Sequence, residues 1–346
     1  MANVLLTGAA GAIGMDLAFS LNQAKVNTYA TEADDDNFSL VNKNCKYYKK
    51  VFKAPRAGSD NYIRTINKII SDENIDLVIP NPDFEVGFIS KIREQINSPL
   101  FLPSDETIQI LLSKSETAKK IGDFAPKTFD VDSEDDLSKA ISSEKVVWLR
   151  PKTGAGGKGS LVVSDSKFGW MWIEYWRERG FSSTWIAQEY LRGGNYNVTL
   201  IFNRNSKLCG MGMLERLGYI HEAISPTGIT GDVRIAKTVK LDKIVDVAKK
   251  AVNMIDSSPV GIFSVDLMGE KVSEINPRFA GRPRLYTLSG ANFPAHIVDM
   301  ELNGNSSYLE SNDGYKLIRQ VDIEPVAIKL EAVSYTHLTL PTISDV

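Results

Sequence analysis

Arg150-Pro151-Lys152-Thr153-Gly154-Ala155-Gly156-Gly157-Lys158-Gly159-Ser160 follows the apolar run Val146-Val147-Trp148-Leu149. Far downstream, Phe263-Ser264-Val265-Asp266-Leu267-Met268 leads through a short polar turn into Val272-Ser273-Glu274-Ile275-Asn276-Pro277-Arg278-Phe279. The first stretch reads as a strand entering a loop that mixes five glycines or alanines with Arg150, Lys152 and Lys158. Such a loop lets backbone amides, including those of Gly156 and Gly157, close on phosphate oxygens while the cations offset charge. It is not a Walker loop, because no Gly-Lys-Ser/Thr stands before a helix. The second stretch reads as two strands joined across Gly269-Glu270-Lys271, with Asp266, Glu274 and Asn276 as three hard oxygen ligands. Carboxylates in apolar runs are costly without a partner, and a divalent ion bridging phosphates would supply one. A flexible hairpin and a solvated turn are the bland alternatives, and neither needs this many charges beside apolar neighbours. Together the two stretches point to ATP with Mg2+ (or Mn2+), and to an ATP-dependent enzyme.

Upstream, residues 2–112 alternate strand and helix signals. Val4-Leu5-Leu6 runs into Thr7-Gly8-Ala9-Ala10-Gly11-Ala12-Ile13-Gly14, then a helix from Met15 to Leu21 and a strand from Val26 to Thr31. Tyr62, Ile63, Ile66, Ile69 and Ile70 form a helical stripe before a buried strand at Ile75–Ile79. This alternation predicts a parallel sheet covered by helices, with sites at the carboxyl ends of its strands. Pro80-Asn81-Pro82-Asp83-Phe84-Glu85 occupies such an end. Gly8, Gly11 and Gly14, with Glu32 farther on, also fit a dinucleotide turn, which keeps an NAD(P)-dependent oxidoreductase or epimerase open. A short-chain dehydrogenase would need a Tyr followed by Lys four residues later, and none of the 12 Tyr residues has one. Such glycines also serve close helix–strand packing alone.

Ser113-Lys114-Ser115-Glu116 is a capping box that should start a helix and marks a boundary. Beyond it the pattern is α+β. Strands are expected at 146–149, 161–163, 184–190, 196–202, 208–215, 260–268 and 271–275, and helices at 115–122, 134–142, 167–178, 241–256 and 294–302. All five Trp residues lie between 148 and 185, where Trp172 and Trp176 at helical spacing should pack a small subdomain rather than stack on a ligand. Net charge −3 and pI near 5.8 argue against a nucleic-acid footprint. Cys45 and Cys209 read as free thiols of a reducing cytoplasm. No apolar run reaches the roughly 20 residues of a membrane span, and no signal peptide opens the chain. Ser334 to Val346 resembles translated adapter read-through, which would leave the natural chain continuing past about Val333.

Lys114, Arg150-Pro151-Lys152 with its glycine loop, Gln188-Glu189-Tyr190-Leu191-Arg192-Gly193, Asp266 and Glu274-Ile275-Asn276-Pro277-Arg278 together resemble the ATP-grasp superfamily. The nearest likeness is to the large subunit of carbamoyl-phosphate synthase. The resemblance implies an N-terminal parallel-sheet pre-ATP-grasp domain (1–112) and a two-subdomain α+β ATP-grasp module (113–305, divided near 185/186). A C-terminal segment (306–333) and the non-native tail (334–346) would follow. It implies Lys114 and Arg150 on the phosphates, Gln188, Glu189, Tyr190 and Leu191 around adenine, and Asp266, Glu274 and Asn276 holding two magnesium ions. Arg278 would contact the transferred phosphate. The reaction implied is activation of a small-molecule carboxylate as an acylphosphate for attack by an amine, releasing ADP and phosphate, with a homodimer left open. Arg150 stands where Lys is usual, and Asn195 where an acid usually meets ribose. These departures keep a non-catalytic nucleotide-binding module open as well. Only one such unit is present, which disfavours the full two-step synthesis of carbamoyl phosphate. Gly281-Arg282-Pro283-Arg284 leads into a helix, and an arginine there is placed to hold the substrate carboxylate. Two residues apart on a helix, Arg282 and Arg284 should not share a face, and Arg282 is the expected one.

Overall fold

The computed structural model describes residues 1–154, 156–181 and 183–320. The tail at 334–346 and the part of the 306–333 segment beyond Gln320 lie outside them. Four parallel strands, β1 (Asn3–Thr7), β2 (Asn27–Glu32), β3 (Lys50–Lys53) and β4 (Leu77–Ile79), lie in the order β3-β2-β1-β4. Helices α1 (Ala12–Gln23), α2 (Asp35–Asn44), α3 (Tyr62–Asp72), α4 (Asp83–Lys91) and α5 (Asp105–Leu111) accompany them. The chain steps to opposite sides of β1, so a crevice opens at the carboxyl ends of β1 and β4. The glycine turn after β1 and Pro80–Glu85 after β4 form its rims, tied where the Asn81 amide donates to Thr7 Oγ1 at 3.1 Å. The short, polar α2 escapes periodicity but is fixed by a cap: the Asp34 carboxylate accepts from the Asn37 amide at 3.0 Å.

Next come α6 (Lys114–Ile121), β5 (Thr128–Val131), α7 (Glu134–Glu144), β6 (Val147–Pro151), β7 (Leu161–Val163), α8 (Ser166–Glu178) and β8 (Trp185–Glu189). The strands pair antiparallel in the order β5-β8-β6-β7. Leu137, Leu149, Ile173 and Trp185 form the core beneath α7 and α8, and Trp170, Trp172 and Trp176 pack against it, as expected of their spacing. The capping box at Ser113 is only half made. Ser113 Oγ accepts from the Glu116 amide at 3.4 Å, but the Glu116 carboxylate pairs with Lys119 instead. A complete box is found at Ser133–Asp136.

The third group holds β9 (Asn195–Phe202), β10 (Leu208–Tyr219), β11 (Val233–Thr238), α9 (Asp242–Ile255), β12 (Gly261–Met268) and β13 (Lys271–Asn276). It ends with α10 (Pro283–Leu288), α11 (Phe293–Asn303), β14 (Leu309–Glu310) and β15 (Lys316–Ile318). The sheet runs β13-β12-β9-β10-β11-β15, with β14 on β10. In the β12–β13 hairpin Asp266 pairs with Glu274 and Ser264 with Asn276. Since side chains alternate along a strand, Glu274 and Asn276 share one face with Asp266. The strand expected to stop at 215 runs on to Tyr219, which puts Arg216 inside the sheet. This sheet and the N-terminal one share a core, in which Leu17, Ala18 and Leu21 of α1 join Tyr286, Phe293 and Ile297. No described helix is long and apolar enough to cross a membrane.

Candidate functional site

A cleft of about 620 Å³ opens where the three groups meet, lined among others by Gly8, Gly11, Lys114, Arg150, Arg216, Asp266, Glu274, Asn276, Arg278 and Arg282. Its cationic wall begins with Lys114 at the start of α6. Its Nζ donates to the Gly154 carbonyl at 2.6 Å and lies 3.2 Å from Glu274 Oε1, while its amide donates to the Lys152 carbonyl at 3.1 Å. Lys114 thereby clasps the start of the glycine-rich loop to the acidic hairpin. Arg150, next to last in β6, is buried, stacks over Trp148 and donates from Nη2 to the Ser273 carbonyl at 2.7 Å. Burial pushes its guanidinium pKa below the usual arginine value against the pull of Glu274 and Asp266. Its Nε has no protein partner, leaving a buried donor on the cleft wall.

The acidic side is held by charge. Burial raises the Glu274 carboxyl, but Lys114 and Arg150 outweigh it and leave the group below its ordinary value of 4.5, so it is anionic at neutral pH. Asp266 Oδ1 accepts from Arg216 Nη2 at 2.7 Å and from Asn197 Nδ2 at 2.7 Å. Arg278 grips Asp83 at the start of α4 with Nε and, at 2.8 Å, with Nη2, and donates to the Phe279 carbonyl at 2.8 Å. Arg282 is 2% exposed and donates at 2.7 Å to Asp16 of α1, itself fully buried. Arg284 Nε lies 3.4 Å from the same oxygen. The expectation that these two arginines diverge is therefore corrected. Arg282 is the residue before the helix, at φ −141° and ψ 83°, so helical spacing does not govern it and both converge on Asp16.

Residues 112–282 match the model of the ATP-grasp domain. This part of the chain is an ATP-grasp domain. No curated protein matches the sequence. Among solved structures, N5-carboxyaminoimidazole synthetase from Staphylococcus aureus complexed with ADP is 16% identical, with a TM-score of 0.67 over 90% of this chain and 80% of that one. The biotin carboxylase domain of Hydrogenobacter thermophilus 2-oxoglutarate carboxylase, with MgADP and bicarbonate, is 9% identical with a TM-score of 0.68, over 90% and 73%. An L-amino acid ligase from Bacillus licheniformis is 12% identical with a TM-score of 0.64, over 87% and 75%. At such identities the likeness establishes the fold, which the ATP-grasp domain shares with the N-terminal sheet in place.

An ATP-grasp domain implies a divalent ion with the nucleotide, and the donor set here fits one. Among the described residues no three His, Cys, Asp or Glu side chains converge as a self-sufficient metal site. Two carboxylates and the Asn276 amide on one strand face are hard donors that still need phosphate oxygens to complete a shell. The contacts to Asp266 fall on Oδ1 and the contact to Glu274 on Oε1, so each carboxylate keeps an oxygen uncommitted.

Other expected residues lie elsewhere. Lys152 turns to Asp130 at 3.3 Å and is not in the cleft lining. Gln188 and Glu189 end β8 and Tyr190 and Leu191 follow it; none of the four is in the cleft lining, and Gln188 Nε2 donates to Thr128 Oγ1 at 2.8 Å. Asn195 lines the cleft and is fixed by Tyr219 and Arg216. The glycine turn after β1 also lines the cleft, but Glu32 is consumed inside it, accepting from the amides of Ala10, Ala33 and Asp34. A Cβ on Gly14 would stand 2.3 Å from the Gly8 carbonyl oxygen, so that glycine serves close packing. Neither observation favours the dinucleotide alternative. Arg216 and Asp16 carry no such expectation from sequence, and Asp83 only as part of the Pro80–Glu85 strand end. For Arg216 a signal existed: a cation inside a strand that is otherwise mostly apolar.

Proposed function

We propose that this chain binds ATP with magnesium in the cleft and uses it to join a small-molecule carboxylate to an amine, releasing ADP and phosphate. The observation that carries the reading is the convergence of Lys114, Arg150, Glu274 and Asn276 in one cleft of an ATP-grasp domain, with Arg278 and Arg282 at its N-terminal rim. A carboxylate oxygen of the acceptor attacks the γ-phosphorus and ADP leaves. The amine nitrogen then attacks the acyl carbon, loses a proton, and phosphate departs. Bound magnesium would supply charge neutralisation on the phosphates, held by Glu274 and Asn276 with Asp266 beside them.

The protein's own part is positioning and electrostatics, because the acylphosphate forms on the substrate itself and the reaction needs no nucleophilic side chain. Lys114 and Arg150 hold the phosphates, and the amides of Gly156 and Gly157 close over them. Trp172 Nε1 anchors that loop through the Gly159 carbonyl at 2.7 Å. Asn195, which lines the cleft, faces the ribose end. Arg278 faces the transferred phosphate, and Arg282, oriented by Asp16, the acceptor carboxylate. The protein works in the cytoplasm, where Cys45 and Cys209 stay reduced. The test is Glu274→Gln, which keeps shape and removes one charge. ADP release with pooled carboxylates and amines should be nearly abolished with the fold retained. Activity within threefold of the parent would refute the assignment.

A further inference from the structure

Arg216 of the cleft wall is set directly against Asp266 of the acidic hairpin by a hydrogen-bonded ion pair of 2.7 Å, with its side chain only 10% exposed. Its Nη1 reaches Asn195 Oδ1 at 3.2 Å, and Tyr219, which receives Asn195 Nδ2 at 2.8 Å, closes the group. Asn197 secures the other side of Asp266 Oδ1 at 2.7 Å, and Asn197 is itself fully buried between β10 and β12. The guanidinium is fixed by the sheet, because Arg216 and Asn195 are register partners on β10 and β9.

The charge balance then differs across the hairpin. Glu274 Oε1 lies 3.2 Å from Lys114 Nζ, and the buried Arg150, which also attracts it, donates to the Ser273 carbonyl rather than to the carboxylate. Asp266 meets a planar fork with two separate anchors, and a delocalised guanidinium is weakly hydrated and gains little from release into water. A dication placed on Asp266 would sit beside that permanent positive charge in a site of low dielectric, where like charges repel strongly.

Resting on the proposed ATP-binding reading, we propose that Arg216 occupies the electrostatic place of a second metal ion, so that the nucleotide is bound with a single divalent ion, on the Glu274–Asn276 side. Asp266 then serves to orient Arg216 rather than to ligate a second ion, and Asn195 in place of an acid keeps the guanidinium from being drawn to the ribose end.

The test counts ions rather than turnovers. Mn2+ is titrated into the full chain with a non-hydrolysable ATP analogue, and free Mn2+ is read by its electron paramagnetic resonance signal. The parent should bind one Mn2+ per chain, with any second ion at least tenfold weaker. Arg216→Gln should gain a second ion of comparable affinity, and Arg216→Lys, which keeps the charge, should remain at one. Asp266→Asn should also retain its one ion, whereas Glu274→Gln should lose it. Two ions of similar affinity in the parent would overturn the proposal, and that count decides even if Arg216→Gln fails to fold. An unchanged single ion in folded Arg216→Gln would also overturn it. No nucleotide-dependent Mn2+ at all would instead sink the ATP-binding reading itself.

Discussion

Removing the Asp16 carboxylate should be among the most damaging single changes in the molecule. Asp16 is fully buried and holds Arg282, which is 2% exposed, at 2.7 Å. Asp16→Ala removes the carboxylate that this buried guanidinium bonds at 2.7 Å, and breaking such a pair costs about 3–5 kcal/mol. Arg284, 21% exposed at 3.4 Å, can turn to water and adds little to that figure. With an unfolding entropy of about 2.1 cal/mol/K per residue, a chain of 346 residues would lose about 4–7 °C in Tm. The assay is urea unfolding followed by tryptophan fluorescence and by circular dichroism, together with a thermal scan. The double variant Asp16→Leu/Arg282→Met removes both charges at similar volume and should recover most of the loss, since apolar replacement of a buried pair is often neutral. Asp16→Ala within about 1 kcal/mol of the parent, or a double variant as unstable as the single one, would refute the reasoning.

Arg150→Ala should weaken ATP binding by about tenfold to a hundredfold, as hydrogen bonds to charged groups contribute about 1.5–3 kcal/mol. Arg150→Lys should be milder, and an unchanged dissociation constant for the alanine variant by calorimetry would place the phosphates elsewhere. The Glu274 carboxyl is held below 4.5 by Lys114 and Arg150 against burial, so its contribution to stability is present above pH 4.5 and is lost as pH falls through the lower folded value. Lys114→Met removes the larger of those attractions and should move the acid-side loss of stability to higher pH. Superimposable profiles of urea midpoint against pH for parent and variant would contradict this.

What sequence can show of this fold is what lies within one segment. The strand entering the glycine loop, the hairpin bearing Asp266, Glu274 and Asn276, and the helix at Lys114 are local patterns of period and turn, and each forms within a few residues of its expected bounds. The contacts that arrange the site join residues far apart: Arg216 to Asp266 across 50 positions, Arg278 to Asp83 across 195, Arg282 to Asp16 across 266. No periodicity registers a pair of that kind. Arg282 shows the limit well: helical spacing holds only within a helix, and this residue stands just before one. Lys152 shows another: a cation in a cationic loop can still turn to a nearby acid.

The packing of α1 on α10 and α11 has a consequence for how this architecture can be cut and recombined. The matched domain stops at residue 282, yet Tyr286 and Phe293 pack with Leu17 and Leu21, Ser20 bonds Thr287 at 2.7 Å, and Asn292 bonds the Ser20 carbonyl at 2.7 Å. A fragment bounded by the domain match would expose that apolar seam and strand Arg282 without Asp16. The smallest transferable piece therefore includes α1, α10 and α11 together. A chimera that exchanges the glycine turn between relatives must carry both sides of the seam from the same parent.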